Sequence, residues 1–252
     1  MVAGLSAILL GGVLAAPLAA PLAAPPAAPS AAPAPVASTA PAELPIPGVV
    51  TRLASRARVV ALTFDACQAV ERMTLDRGIT DVLVARQVPF TIFVGGRFAR
   101  DNAAALRELA QQPFVDLENH SWSHPRDMRL LDDERVRSEL TRAAAMIREV
   151  SGRRTTLFRF PGGNADARTV ELARSLGYQV VHWSWAEGDP DPAIDADRLV
   201  RQTLARTRPG DILIFHVNGR GWHTAEALPR ILDGLAARGF RVVALRDFLP
   251  PP

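Results

Sequence analysis

The sequence predicts an α/β fold, a (β/α)7-type barrel of parallel strands. Three observations predict it. Short apolar runs recur along the chain without polar alternation, as in strands buried on both faces. Amphipathic helical patterns separate these runs. No hairpin signal breaks the alternation, so successive strands need crossovers and run parallel. Seven such units suggest a barrel related to the eightfold one. A doubly wound open sheet is the alternative.

The elements follow in order. Residues 5–14 form an apolar run too short for the roughly 20 residues that span a bilayer. With the small residues of Leu18-Ala19-Ala20 and Leu22-Ala23-Ala24, it makes 1–24 a signal-like segment and predicts export to the periplasm, cell envelope or exterior. The basic start of such a signal is missing, since no Lys or Arg precedes Arg52. Residues 25–55 read as an Ala/Pro-rich disordered linker, and 56–252 as the globular domain. The first strand is expected at 59–64. A helix at 74–86 follows, with Ile79, Val82 and Leu83 on one face. Next come a strand at 90–94, a helix at 99–111 and a strand at 114–117. A helix at 132–150 opens at Asp132, turns Arg135 and Glu139 outward, and is closed by Gly152. The remaining strands are expected at 155–158, 178–183, 211–215 and 240–245. Helices at 166–176, 195–207 and 225–238 lie between them.

Composition narrows the function. A chain of 252 residues, 48% hydrophobic, is long enough for one substantial core and does not require two. The formal charge is +3, every basic residue is arginine, and the arginines are scattered. That pattern argues against nucleic-acid binding, and nothing in it predicts a protein partner. Cys67 is the single cysteine, so no intrachain disulfide is possible.

Polar residues gather after the strands. Asp65 follows the first; Glu118, Asn119, His120 and His124 the third; Arg159 and Pro161-Gly162-Gly163-Asn164 the fourth. Glu187, Gly188, Asp189 and Asp191 follow the fifth, and His216 and Asn218 the sixth. In a parallel barrel these ends share one mouth, where catalytic residues collect. His120 and His124 are four residues apart. On an extended strand that is about 13 Å, too far to share a metal; on a turn it is about 6 Å, and the rings converge.

Four motifs carry a resemblance: Thr63-Phe64-Asp65, His120-Ser121-Trp122-Ser123-His124, Arg159-Phe160-Pro161-Gly162 and Ile214-Phe215-His216. In order, they resemble the motifs of the polysaccharide deacetylases, the NodB-homology group of carbohydrate esterase family 4. The resemblance covers about 58–248. It implies a distorted (β/α) barrel and metal-dependent removal of acetyl groups from N-acetylated sugars, usually with zinc. The expected substrate partner is an acetylated polysaccharide such as cell-wall glycan. Other readings are an O-acetyl esterase or small cyclic-amide hydrolase on the same barrel, or a non-catalytic carbohydrate-binding protein.

Amide hydrolysis needs an activated water, polarisation of the carbonyl and a proton for the leaving amine. His120 and His124 are the expected metal ligands. Asp65 resembles the family's general base. His216 suits the acid, because imidazole titrates near neutrality. The resemblance pairs Arg159 with Asp65, and has Asp189 hold the arginine from its far side. Pro161, Gly162, Trp185, Asn218 and Trp222 are the expected substrate contacts, with Trp183 another candidate for the aromatic wall. His182 and His223 are read as structural. One departure concerns the metal. The family usually has a second aspartate after the first, as third ligand; here Ala66 stands in that position. Glu118, Asp166, Cys67 or an extra water are candidates to replace it. The other departure is Pro190, which follows Asp189 where the family commonly has tryptophan.

Overall fold

The structure, a computed structural model, describes Met1 and residues 46–68 and 73–249. The expected signal, apart from Met1, and the linker before residue 46 lie outside the described residues. Among the described residues the sheet comprises β1 (Val49–Val50), β2 (Val59–Ala66), β3 (Phe90–Val94), β4 (Val115–Asn119) and β5 (Leu157–Phe158). It continues with β6 (Gln179–Val181), β7 (Trp185–Ala186), β8 (Ile212–His216) and β9 (Arg241–Val242). The lateral order is β1-β6-β5-β4-β3-β2-β8-β7, with β9 beside β2. The strand pairings are parallel. The sheet curls into a distorted half-barrel clad by helices. All seven expected strands are present; β1 and β7 are additional.

The helices are α1 (Arg77–Ala85), α2 (Gly96–Asp101), α3 (Ala103–Leu109), α4 (Asp133–Ser151), α5 (Ala167–Ser175), α6 (Ala196–Arg206) and α7 (Thr224–Ala237). The single helix expected at 99–111 is two. Asn102 separates them, with φ −117° and ψ 22°. Its side chain accepts from Leu75 N and donates to the Met73 and Phe98 carbonyls, tying down the chain ahead of α1.

Side chains of β2 alternate between two apolar layers. Val60, Leu62, Phe64 and Ala66 pack in the cluster under the helices. Val59 and Ala61 join a second cluster with Phe93, Leu157, Val181 and Ile212 from the facing strands. Strand parity therefore puts Thr63 and Asp65 on the inner side and Ala66 on the outer one.

Part of the expected linker is not linker. β1 pairs with β6 through Val49 with Val180 and Val50 with Val181. Beyond it, Leu53 is buried, and its N–H donates to the Gly210 carbonyl at 2.8 Å. Arg52 bridges to Asp211, and Ser184 Oγ donates to the Thr51 carbonyl at 2.7 Å. This clasp spans from β6 to the start of β8. The Ala/Pro composition upstream hid four apolar residues, Ile46, Val49, Val50 and Leu53, which pack into the folded domain.

Candidate active site

The two histidines converge through a turn built from the end of β4. Asn119 Oδ1 accepts from Ser121 N at 2.9 Å, while its Nδ2 donates to the Leu140 carbonyl and to Tyr178 OH. Ser121 and His124 adopt left-handed φ values of 69° and 56°, a conformation few non-glycine residues take. Ser121 Oγ accepts from His124 N at 3.1 Å. The ring centroids of His120 and His124 are consequently 5.0 Å apart. Gly96 lies directly below: a Cβ there would strike Trp122 Cε3 at 2.2 Å.

Glu139, expected to face outward, is buried and clamps this turn. Its Oε2 accepts from the N–H groups of Trp122 and Ser123 at 2.9 and 2.7 Å, and its Oε1 from Ser123 Oγ at 2.7 Å. Helical periodicity put a charged residue on the solvent side by default, but the turn needed an acceptor from below. Glu139→Gln weakens these bonds and should cost about 2 kcal/mol, a typical loss for bonds to a charged group. Urea denaturation measures this; an unchanged midpoint would remove the clamp role.

Asp65, next to last in β2, lies on the barrel's inner side and is paired in register with His216 of β8. Its Oδ1 accepts from Arg159 Nη1 at 2.8 Å, and its Oδ2 lies 3.5 Å from His120 Nε2. Burial by itself would raise this carboxyl. Electrostatic interaction with His120, then with Arg159 and His216, and the Arg159 hydrogen bond bring it down to about 2. Arg159 is wholly buried. It also donates to Thr63 Oγ1, the Val181 carbonyl and the His182 carbonyl, and it lies 4.0 Å over the Phe93 ring.

Asp189 does not hold Arg159. Its Oδ1 lies 2.9 Å from His216 Nδ1, and its Oδ2 accepts from His216 N at 2.6 Å and from Thr224 Oγ1 at 2.9 Å. The aspartate thus fixes the imidazole rather than the guanidinium. With Nδ1 engaged, Nε2 is the nitrogen His216 has left for proton transfer.

These groups open into a cleft of about 230 Å³, lined among others by Asp65, His124, Gly162, Trp183, Asp189, His216 and Arg220. Two larger hollows, of about 410 and 340 Å³, are lined by none of these residues. Of the expected substrate contacts, Gly162 lines the cleft, and Pro161 is its buried neighbour. Trp222 stands at 61% exposure on the β8–α7 loop. Trp185 is elsewhere: its indole N–H donates to Asp211 in the clasp, and Arg206 lies 4.3 Å over its ring. Asn218 is fully buried and donates to the Cys67 carbonyl and Sγ, so it braces the loop after β2. Trp183, packed against Gly163, supplies the cleft's aromatic wall in place of Trp185.

The substitutes proposed for the missing ligand are otherwise engaged. Glu118 Oε2 accepts from Thr156 N and Leu157 N, both at 2.8 Å, and burial pushes its carboxyl up to about 8. Asp166 caps α5 in a reciprocal bond with Thr169. Cys67 is buried, its thiol raised by burial and then by the Asp65 charge. Among the described residues no group of three or more His, Cys, Asp and Glu is placed to hold a metal ion. Two donors nevertheless suit one. His120 Nδ1 donates to the Arg159 carbonyl at 2.9 Å, since a carbonyl only accepts, and this puts the neutral ring's lone pair on Nε2. That Nε2 is buried without a hydrogen-bond partner. Burial takes both rings below the usual imidazole value, and with the His120 ring beside it His124 falls to about 3. A second-sphere carbonyl fixing the tautomer of a bare imidazole nitrogen is how metal-binding histidines are oriented.

A sequence profile of the family described as polysaccharide deacetylase matches residues 53–181. The chain is 30% identical to a chitooligosaccharide deacetylase of Sinorhizobium fredii, over 66% of this chain and 82% of that protein. It is 26% identical to the peptidoglycan-N-acetylmuramic acid deacetylase PdaA of Bacillus subtilis, over 68% of this chain. The chain spans 65% of the length of that protein, and 64% of one further relative. Among solved structures, a carbohydrate esterase family 4 pseudoenzyme from Bacillus anthracis superposes with a TM-score of 0.71. It is 22% identical, covering 80% of this chain and 69% of that one, a likeness of fold.

Proposed function

Since the chain belongs to the polysaccharide deacetylase family, we propose that it is a hydrolase removing N-acetyl groups from a polysaccharide such as cell-wall glycan. The observation that carries this reading is the pairing across β2 and β8. Asp65 and His216 stand side by side in register, open into one cleft, and each has its own polar partner. Asp65, kept anionic by Arg159, takes a proton from the attacking water. His216, oriented by Asp189, gives a proton from Nε2 to the leaving nitrogen. Thr63 accepts from Arg159 and Thr224 donates to Asp189, so each bonds the partner of one member of the pair. The family generally uses a divalent metal. His120 and His124 would hold it, and their neutral imidazoles suit zinc. When bound, it supplies carbonyl polarisation and acidifies water. An exported setting, expected from residues 1–24, agrees with a cell-wall substrate.

Acetate release from peptidoglycan and from chitin oligomers, with and without chelator, tests the reading. Metal analysis of the wild type and His120→Ala goes alongside. The expected result is chelator-sensitive release, with metal content and turnover both falling sharply in the variant. Absence of release from any glycan by metal-supplemented protein would sink the hydrolase reading. Ala66 favours one rival, a binding protein without turnover; glycan binding without acetate would establish it.

A further inference from the structure

The cleft contains one unbalanced charge. Asp65 is neutralised by Arg159 at 2.8 Å and Asp189 faces His216 at 2.9 Å. Glu187, the remaining acidic side chain of the lining, gives both carboxyl oxygens to Ile214 N, and burial favours its uncharged form. Arg220 lines the same cleft from the β8–α7 loop. Its backbone N–H bonds Asn218 Oδ1, and its Nη1 makes one long contact of 3.8 Å to Cys67 Sγ. Among the described residues Arg220 has no carboxylate within ion-pair distance, whereas Arg52, Arg77, Arg86, Arg168, Arg230 and Arg246 all do. It is half-buried.

A guanidinium presents a planar fork that matches a carboxylate with two parallel hydrogen bonds. Desolvating such a cation without a counter-ion is costly, so a bound ligand that brings one gains selectivity. We propose that Arg220 reads a carboxylate on the substrate, making the preferred unit an N-acetylated sugar with an acidic group on the same or the adjoining ring. This rests on the deacetylase reading and adds the sign of the substrate's charge. Neutral chitin-type chains leave the fork empty; acid-bearing chains fill it. Trp222 lies two residues along the same loop and is 61% exposed.

The test compares three probes: N-acetylmuramoyl-containing glycan fragments, the same fragments with the carboxylate methyl-esterified, and uronic-acid-containing N-acetylated oligosaccharides. Each is measured with the wild type and Arg220→Gln. In the wild type, esterification should lower kcat/KM by about tenfold or more, the scale of one charge-assisted bond pair. In Arg220→Gln the ester and the acid should be treated nearly alike. The uronic probe tells an acid on the neighbouring ring from one on the acetylated ring. An equal loss on acid and ester in the variant would assign Arg220 to the reaction itself and overturn the proposal. So would a wild type indifferent to esterification. If no probe releases acetate, the deacetylase reading fails on its own. Calorimetric binding of acid and ester to both proteins then decides the charge question separately, because an acid preference absent from Arg220→Gln upholds it and any other pattern refutes it.

Discussion

Arg159→Met should unfold far more readily than the wild type, by about 3–5 kcal/mol, the usual consequence of removing one member of a buried ion pair. Five contacts of the guanidinium vanish together: Asp65, Thr63, two carbonyls and the Phe93 ring. The remaining carboxylate is left buried and unpaired. The pH dependence gives the mechanism a signature. In the wild type the Asp65 carboxyl lies at about 2, below the unfolded value near 3.9. Its contribution to stability is therefore complete above about pH 4 and disappears as pH falls through about 2. Without Arg159 its charge and hydrogen bond no longer oppose burial, the folded value rises, and this acid-sensitive contribution shrinks. Denaturant titrations at several pH values between 3 and 7 measure the difference. Parallel curves for the two proteins would mean that Arg159 does not set the state of Asp65.

Asp65→Asn should lower acetate release by about 10³-fold, within the range assigned to a positioned general base. The amide oxygen can still accept from Arg159, so the loss falls on kcat more than on folding. Because the wild-type carboxyl stays ionised down to about 2, the acid limb of the wild-type rate profile above that pH belongs to another group. Steady-state kinetics over a pH series separates the two. A variant retaining a tenth of wild-type kcat would transfer the base role away from Asp65.

Much of this arrangement was legible from residue patterns. Fully apolar runs announced parallel strands, and parallel strands put Asp65, His120, Arg159 and His216 at one mouth. What escaped had physical causes. β1 and β7 are two residues each, too short to leave a period. The helix break at Asn102 comes from side-chain bonds to distant backbone, which propensity does not register. Asp189 follows a strand whose neighbours include both a cationic and an imidazole partner; only the register of β7 on β8 brings it to His216. Trp185 had the composition of a sugar-binding residue, but strand parity turned it towards Asp211. The turn carrying the two histidines was anticipated as a helical one, and is instead made by two left-handed residues over a buried glutamate.

The clasp at residues 50–53 has a practical consequence for where the autonomous folding unit begins. Composition turns globular near Arg58, and a protein trimmed there would look complete by pattern. It would lack the strand beside β6, the Leu53 plug and the Arg52 partner of Asp211. Asp211 would then keep its buried carboxylate without its cation, next to the strand that delivers His216. The covalent boundary of the catalytic unit therefore lies upstream of its first long strand, and the residues nearest the linker help close the sheet that carries the chemistry.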